Sequence, residues 1–132
     1  MNESSSDLVL LDVVSPGVGV VTLNKPDRLR TRRAAMSAAF FARLDEARAN
    51  DDIRVVVVTG SGRGFCPGAD MDALNTIRAN PAGGAGAATG VGRFSDMLSY
   101  PKPVIAAING AVAGVGLVMA LFCDLRFAAS GV

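Results

Sequence analysis

Apolar residues in the first part of the chain come in short runs set apart by turn formers. Residues 8–14 and 18–23 are two such runs, and Ser15-Pro16-Gly17 between them predicts a tight turn, so the pair reads as a hairpin at one edge of a sheet. The period then changes. Met36, Phe40, Leu44 and Ala47 recur at helical spacing and make one apolar stripe, which predicts a helix with its N-cap at Thr31, ending near Ala49, and with the stripe as core. Asn50-Asp51-Asp52 stops it. Residues 53–58 are an almost unbroken β-branched run, the pattern of a parallel strand covered on both faces. Strand, helix and strand together predict a right-handed crossover.

Residues 59–72, Thr-Gly-Ser-Gly-Arg-Gly-Phe-Cys-Pro-Gly-Ala-Asp-Met-Asp, leave this strand and enter a segment with helical character over 69–79. Gly60, Gly62 and Gly64 ask for backbone conformations closed to other residues, and Gly68 would let a ligand approach the main chain. The N–H groups at such a helix start lack internal partners and can receive an anionic oxygen. The same glycines also suit a plain strand-to-helix connection with no ligand. Sharper fingerprints fail: Phe65 stands where a dinucleotide pattern needs its third glycine, no Gly-Lys-Ser/Thr follows, and no Gly-x-Ser-x-Gly surrounds Ser61.

Residues 80–90 are rich in glycine and alanine and predict a mobile loop, and residues 91–100 a short helix stopped by Pro101 and Pro103. No charge occurs over residues 103–123, long enough to raise a membrane span. Asn109-Gly110 is a turn signal in mid-run, however, so a buried strand over 104–108 and a buried helix starting near Gly114 and Gly116 are the favoured reading, with a further strand over 124–129. Residues 1–7 are polar and predict a loose terminus, leaving residues 8–132 as one domain.

Composition narrows the function. A net charge of +1 with 19% charged residues gives no broad field for polyanions, so nucleic acid is not an expected partner. Cys66 and Cys123 are too few for a disulfide framework, and no cleavable apolar segment follows Met1, so a reducing cytoplasm is the expected home. The chain has no histidine, which removes the usual general base of Ser/Cys hydrolases and the commonest zinc ligand. No metal is expected, and any chemistry falls to carboxylates, backbone dipoles or basic side chains. Arg28, Arg30, Arg32 and Arg33 suit bidentate phosphate pairing, or equally a solvated basic helix start.

The segment Gly62-Arg63-Gly64-Phe65-Cys66-Pro67-Gly68-Ala69-Asp70-Met71 resembles the Gly-x-x-Phe-(Cys/Ser)-Ala-Gly-x-Asp-Leu signature of the enoyl-CoA hydratase/isomerase (crotonase) superfamily. Lys102-Pro103-Val104-Ile105-Ala106-Ala107-Ile108-Asn109-Gly110, with Gly114-Val115-Gly116 and Cys123-Asp124-Leu125-Arg126 after it, is similar to the family's second motif. The two stand in family order, and the resemblance runs from about Val18 to the last residue. It implies an α/β fold, a crotonase-like spiral of ββα units, incomplete at the C-terminus.

It also implies a chemistry. In the family, two backbone N–H groups grip a thioester carbonyl and stabilise the enolate formed from it. By motif position these donors are Ala69 and Val115, and losing one donor of this kind typically costs about 3 kcal/mol of barrier. Substrate contacts are implied for Arg28, Thr31, Pro67, Ala69, Asp70, Met71, Gly114 and Val115. Arg28 lies in Asn24-Lys25-Pro26-Asp27-Arg28, similar to the family loop before the coenzyme A nucleotide contact, although Arg30, Thr31 and Arg32 replace its usual Asn-Ala-Leu.

Of the two family glutamates that move protons, the first falls on Val118 and the second beyond Val132. Asp70 reads as a partner of nearby backbone N–H groups, and Cys66, with no histidine to activate it, as a packing residue. The implied function is acyl-CoA thioester binding with oxyanion stabilisation in fatty acid metabolism. The alternatives are a Δ-isomerase and a non-catalytic acyl-CoA-binding remnant. No cofactor is implied beyond the coenzyme A of the substrate, no membrane partner is expected, and the family assembles as homotrimers or hexamers.

Overall fold

The computed structural model describes residues 8–24, 33–67 and 92–132. Strands β1 (Val9–Ser15) and β2 (Gly17–Leu23) form the antiparallel hairpin, in register from Val9↔Leu23 to Val13↔Gly19 and shifted at Ser15↔Val18 next to the turn. Gly17 makes the turn at φ 82°, a left-handed conformation that costs glycine nothing. Helix α1 (Arg33–Ala49) then carries the chain over to β3 (Ile53–Gly60), which lies parallel to β2. Strands β5 (Val104–Ile108) and β7 (Leu125–Ala128) add on in parallel, giving the order β1-β2-β3-β5-β7 with the hairpin at the edge. A second small sheet pairs β4 (Gly64–Cys66) with β6 (Ala111–Val112), also parallel. Helix α2 (Val115–Phe122) separates β6 from β7.

One face of the main sheet meets α1. Met36, Phe40, Leu44 and Ala47, the predicted stripe, are all buried, together with Val21, Leu23, Val56, Val58, Val104 and Ala106 from the strands. Phe40 packs edge-on against Phe41, ring centroids 5.4 Å apart, and against Phe94 at 6.1 Å. Between Gly17↔Ile53 and Val18↔Val55 the register slips, leaving Arg54 as the extra residue and letting Ile53 share the buried face with Val56 and Val58.

The expectation that β3 is covered on both faces is corrected: Val55 and Val57 are only half-buried. An unbroken β-branched run carries no alternation from which to tell a fully covered face from a partly covered one. The short helix expected within residues 91–100 is present, in 3-10 form. It spans Phe94–Ser99, with Asp96 accepting from the Arg93 N–H at 2.8 Å and Pro101 following soon after.

The uncharged stretch 103–123 divides into β5, β6 and the eight-residue α2, and among the described residues no helix is long and apolar enough to cross a membrane. Helices α1 and α2 each end against a basic side chain. Lys102 Nζ donates to Ala47 O at 2.6 Å and to Asn50 O at 2.9 Å, the latter also accepting from Ile53 N at 3.1 Å, and Arg126 donates to Cys123 O at 2.7 Å, at helix ends where the last carbonyls have no partner within the helix. Asp124 ties β7 to β5: its carboxylate accepts from Val104 N at 2.8 Å, and its own N–H donates to Val104 O at 2.8 Å.

Candidate functional site

The two glycine-containing segments meet at one end of the sheet. After Thr59 and Gly60 the chain leaves β3, turns through Gly62 at φ 69°, and enters β4. The turn is tethered on one side by Ser61 N donating to Leu23 O at 2.9 Å. The second segment leaves β5, passes Asn109-Gly110 and enters β6. Space is scarce where they cross: a Cβ on Gly60 would lie 2.2 Å from Gly64 O, and one on Gly110 1.9 Å from Arg63 O. Backbone touches backbone here, so only glycine fits.

The ladder between β4 and β6 sets the segments side by side. Gly64 pairs with Ala111 and Cys66 with Val112, and Ala113 N continues the contact by donating to Cys66 O at 3.0 Å. Pro67 directly follows β4 and is half-buried. On the other side Gly114 caps α2 at φ 55° and ψ −127°, a combination open to glycine alone, and Val115 is the first helical residue. The Val115 N–H therefore stands in the first turn, where the helix offers it no acceptor, while Gly116 N donates to Ala113 O at 3.1 Å and Val118 N to Gly114 O at 3.1 Å.

Gly116 lets α2 sit directly on β4, since a Cβ there would come within 2.4 Å of Cys66 Cβ. Cys66 is thus a buried packing element under the first turn of α2. Cys123 is buried at the far end of the same helix, and burial pushes its thiol up to about 11, against a smaller downward pull from Arg126. Both thiols are suited to packing rather than nucleophilic work.

Of the residues singled out in the sequence, Pro67, Gly114 and Val115 come together across β4 and β6. Ala69, Asp70 and Met71 lie outside the described residues, as do Asp72, the predicted helical segment 69–79 and the predicted loop 80–90. Arg28, Arg30, Thr31 with its predicted cap, Arg32 and the terminus 1–7 lie outside them too. Val118, which the resemblance aligns with the first family glutamate, is exposed on α2 beside Leu117, with Leu121 a turn further on.

The sequence reading gave Asn109 no role of its own, placing it only as half of a turn signal and as part of the second motif. Its side chain reaches back to the first segment, accepting from Gly60 N at 3.0 Å and donating to Gly62 O at 3.1 Å and Gly64 O at 3.3 Å. Nothing local to Asn109-Gly110 could have announced those partners. A hollow of about 280 Å³ opens beside it at the carboxyl ends of β3, β5 and β7, lined by Thr59, Ala107, Asn109 and Phe127 among others. Carboxyl ends of parallel strands are where open α/β sheets usually receive ligands. A larger cleft of about 390 Å³ between α1 and the 3-10 helix, lined by Phe41, Asp45, Arg48 and Tyr100 among others, shares no residue with either motif.

A sequence profile described as enoyl-CoA hydratase/isomerase matches residues 14–131. The chain is 39% identical over 125 residues to a 1,2-epoxyphenylacetyl-CoA isomerase of Escherichia coli, covering 91% of this chain and 47% of that protein. It is 41% identical over 122 residues to a probable enoyl-CoA hydratase of Mycobacterium tuberculosis, covering 92% and 47%. Its fold superposes on an enoyl-CoA hydratase/carnithine racemase from Magnetospirillum magneticum with a TM-score of 0.75 at 37% identity, covering 92% of this chain and 46% of that one. The chain thus spans about half the length of the relatives it matches.

Proposed function

The chain belongs to the enoyl-CoA hydratase/isomerase family and has its crotonase-type α/β fold, and on that premise we propose that it binds acyl-CoA thioesters and stabilises their enolate oxygen with the N–H groups of Ala69 and Val115. One observation carries this reading. In the parallel ladder Cys66 pairs with Val112, and Ala69 and Val115 each lie three residues further on in the same direction. Two segments leaving neighbouring strands at equal offset are suited to bring two N–H groups to one oxygen, and Val115 already opens a helix with its N–H uncommitted to the helix itself. Pro67, Asp70, Met71 and Gly114 would line the acyl side, and Arg28 and Thr31 the coenzyme A side.

Oxyanion stabilisation polarises a thioester but does not hydrate it. Hydration needs one group that takes a proton from water and one that delivers a proton to the α-carbon, and losing one positioned acid or base costs about 100- to 10,000-fold. Val118 cannot exchange a proton. This favours acyl-CoA binding with little hydration, and leaves a Δ-isomerase or a non-catalytic binder as the alternatives. Steady-state hydration of crotonyl-CoA by the purified chain, with Val118→Glu beside it and acyl-CoA binding measured by calorimetry, tests the reading. We expect binding and little or no turnover by the unmodified chain; absence of binding would sink the proposal, and robust turnover would overturn the assignment of the acid/base groups.

The setting we infer is cytoplasmic fatty acid metabolism, in keeping with two buried thiols. Leu117, Leu121, Leu125 and Phe127 are exposed, which supports self-association of the kind expected for a trimeric or hexameric family. Light scattering should show association beyond the monomer, and a clean, stable monomer would count against it.

A further inference from the structure

We propose that Asn109 is a positioning residue for the thioester site: its side-chain amide holds the turn over residues 60–64, and so the segment leading to Ala69, against the segment leading to Val115. The inference rests on the oxyanion reading of the site and adds to it the residue that keeps the two donor segments in register.

Three bonds carry it. Asn109 Oδ1 accepts from Gly60 N at 3.0 Å, while Nδ2 donates to Gly62 O at 3.1 Å and to Gly64 O at 3.3 Å. The Thr59 hydroxyl, which donates to Ala107 O at 2.9 Å, stands 3.4 Å from Oδ1. An N–H on one side and two carbonyls on the other fix which way the amide faces, because the flipped group would set donor against donor and acceptor against acceptors. The partners of the amide belong to β3, the turn and β4, whereas Asn109 itself directly follows β5 and leads through Gly110 into β6 and α2. One side chain therefore joins both donor-bearing segments upstream of their donors. The ladder between β4 and β6 is short, and its register shifts between Gly64 and Cys66. The amide spans the turn that enters this irregular pairing.

The chemistry of the variants separates positioning from mere support. Aspartate keeps the shape and the acceptor for Gly60 N–H, but turns a charged oxygen toward the carbonyls of Gly62 and Gly64. Alanine removes all three bonds. If Asn109 sets donor geometry, carbonyl polarisation falls further than affinity, because most of coenzyme A binds away from the thioester oxygen. A residue that only supports the fold would lower stability and leave the polarisation of bound ligand unchanged.

The probe is a cinnamoyl thioester of coenzyme A, whose conjugated carbonyl absorbs at longer wavelength when hydrogen-bonded, with free coenzyme A, which lacks the thioester carbonyl, as the comparison. The absorption maximum of bound thioester and its dissociation constant are measured on the unmodified chain, Asn109→Asp, Asn109→Ala and Tyr100→Phe. Tyr100→Phe removes a hydrogen bond to Leu44 O, 2.6 Å long, in the other cleft and controls for general loss of stability. We expect a red shift in the unmodified chain and in Tyr100→Phe, cut by about half or more in the Asn109 variants as donor geometry loosens. Their dissociation constants should rise by less than about tenfold. Absence of a shift in the unmodified chain would sink the oxyanion reading and this inference with it. A full shift in the unmodified chain and in both Asn109 variants would overturn the inference alone, as would failure of both variants to fold, which would make Asn109 a support of the fold.

Discussion

Gly116→Ala puts the smallest possible addition at the contact between α2 and β4. The new Cβ would stand 2.4 Å from Cys66 Cβ, 2.5 Å from Cys66 O and 2.9 Å from Cys66 Sγ. Ordinary carbon contacts begin near about 3.5 Å, so relief requires a movement of about 1 Å. Cys66 cannot easily yield: its carbonyl accepts from Ala113 N at 3.0 Å, and β4 is paired to β6. The helix must move instead. Alanine gains up to about 1 kcal/mol over glycine inside a helix, and less at the second helical position, where Gly116 sits. Overpacking of this kind costs about 1–3 kcal/mol, so the net expectation is a destabilisation of about 1–2 kcal/mol.

Because Val115 precedes Gly116, the displacement reaches the proposed donor directly, and a misplacement of about 1 Å in a catalytic geometry costs about 100-fold in rate. Urea unfolding gives the stability term, and the absorption shift of a bound cinnamoyl thioester gives the geometric one. A Gly116→Ala chain as stable as its parent, with an undiminished shift, would refute the close contact between α2 and Cys66 and the positioning drawn from it.

Phe40→Ala should cost about 3–5 kcal/mol, seen as a fall in the urea midpoint, because the ring is wholly buried against Phe41 and Phe94. Lys102→Met removes two donors from the carbonyls ending α1, and a loss of about 1–2 kcal/mol is expected by the same measurement. Burial raises the Cys123 thiol from an ordinary value of 9.0 to about 11, so the folded chain holds this proton more tightly than the unfolded one. That contribution, about 3 kcal/mol at most, is complete below pH about 9 and lost as the pH climbs through about 11. Unfolding free energy should therefore decline over that window, and Cys123→Ala should flatten the decline; an unchanged slope would contradict it.

Much of the fold was legible in the sequence because it rests on local periods. Two short apolar runs set apart by Ser15-Pro16-Gly17 marked the hairpin, Met36, Phe40, Leu44 and Ala47 marked the buried face of α1, and Asn109-Gly110 correctly broke the uncharged stretch into a strand and a helix. The ordered pair of glycine-containing motifs marked the family. The bulge at Arg54, the half-buried back of β3 and the tight 3-10 form of Phe94–Ser99 depend instead on what packs where, and no window of sequence contains that. The same holds for the candidate site. Cys66↔Val112, Gly116 on Cys66 and the amide of Asn109 on Gly60, Gly62 and Gly64 join residues far apart in the chain. A glycine states in sequence only that something comes close or that φ is positive. Which backbone comes close, and at what register, was decided by the pairing of β4 with β6, where hydrogen bonds between distant segments set the distances.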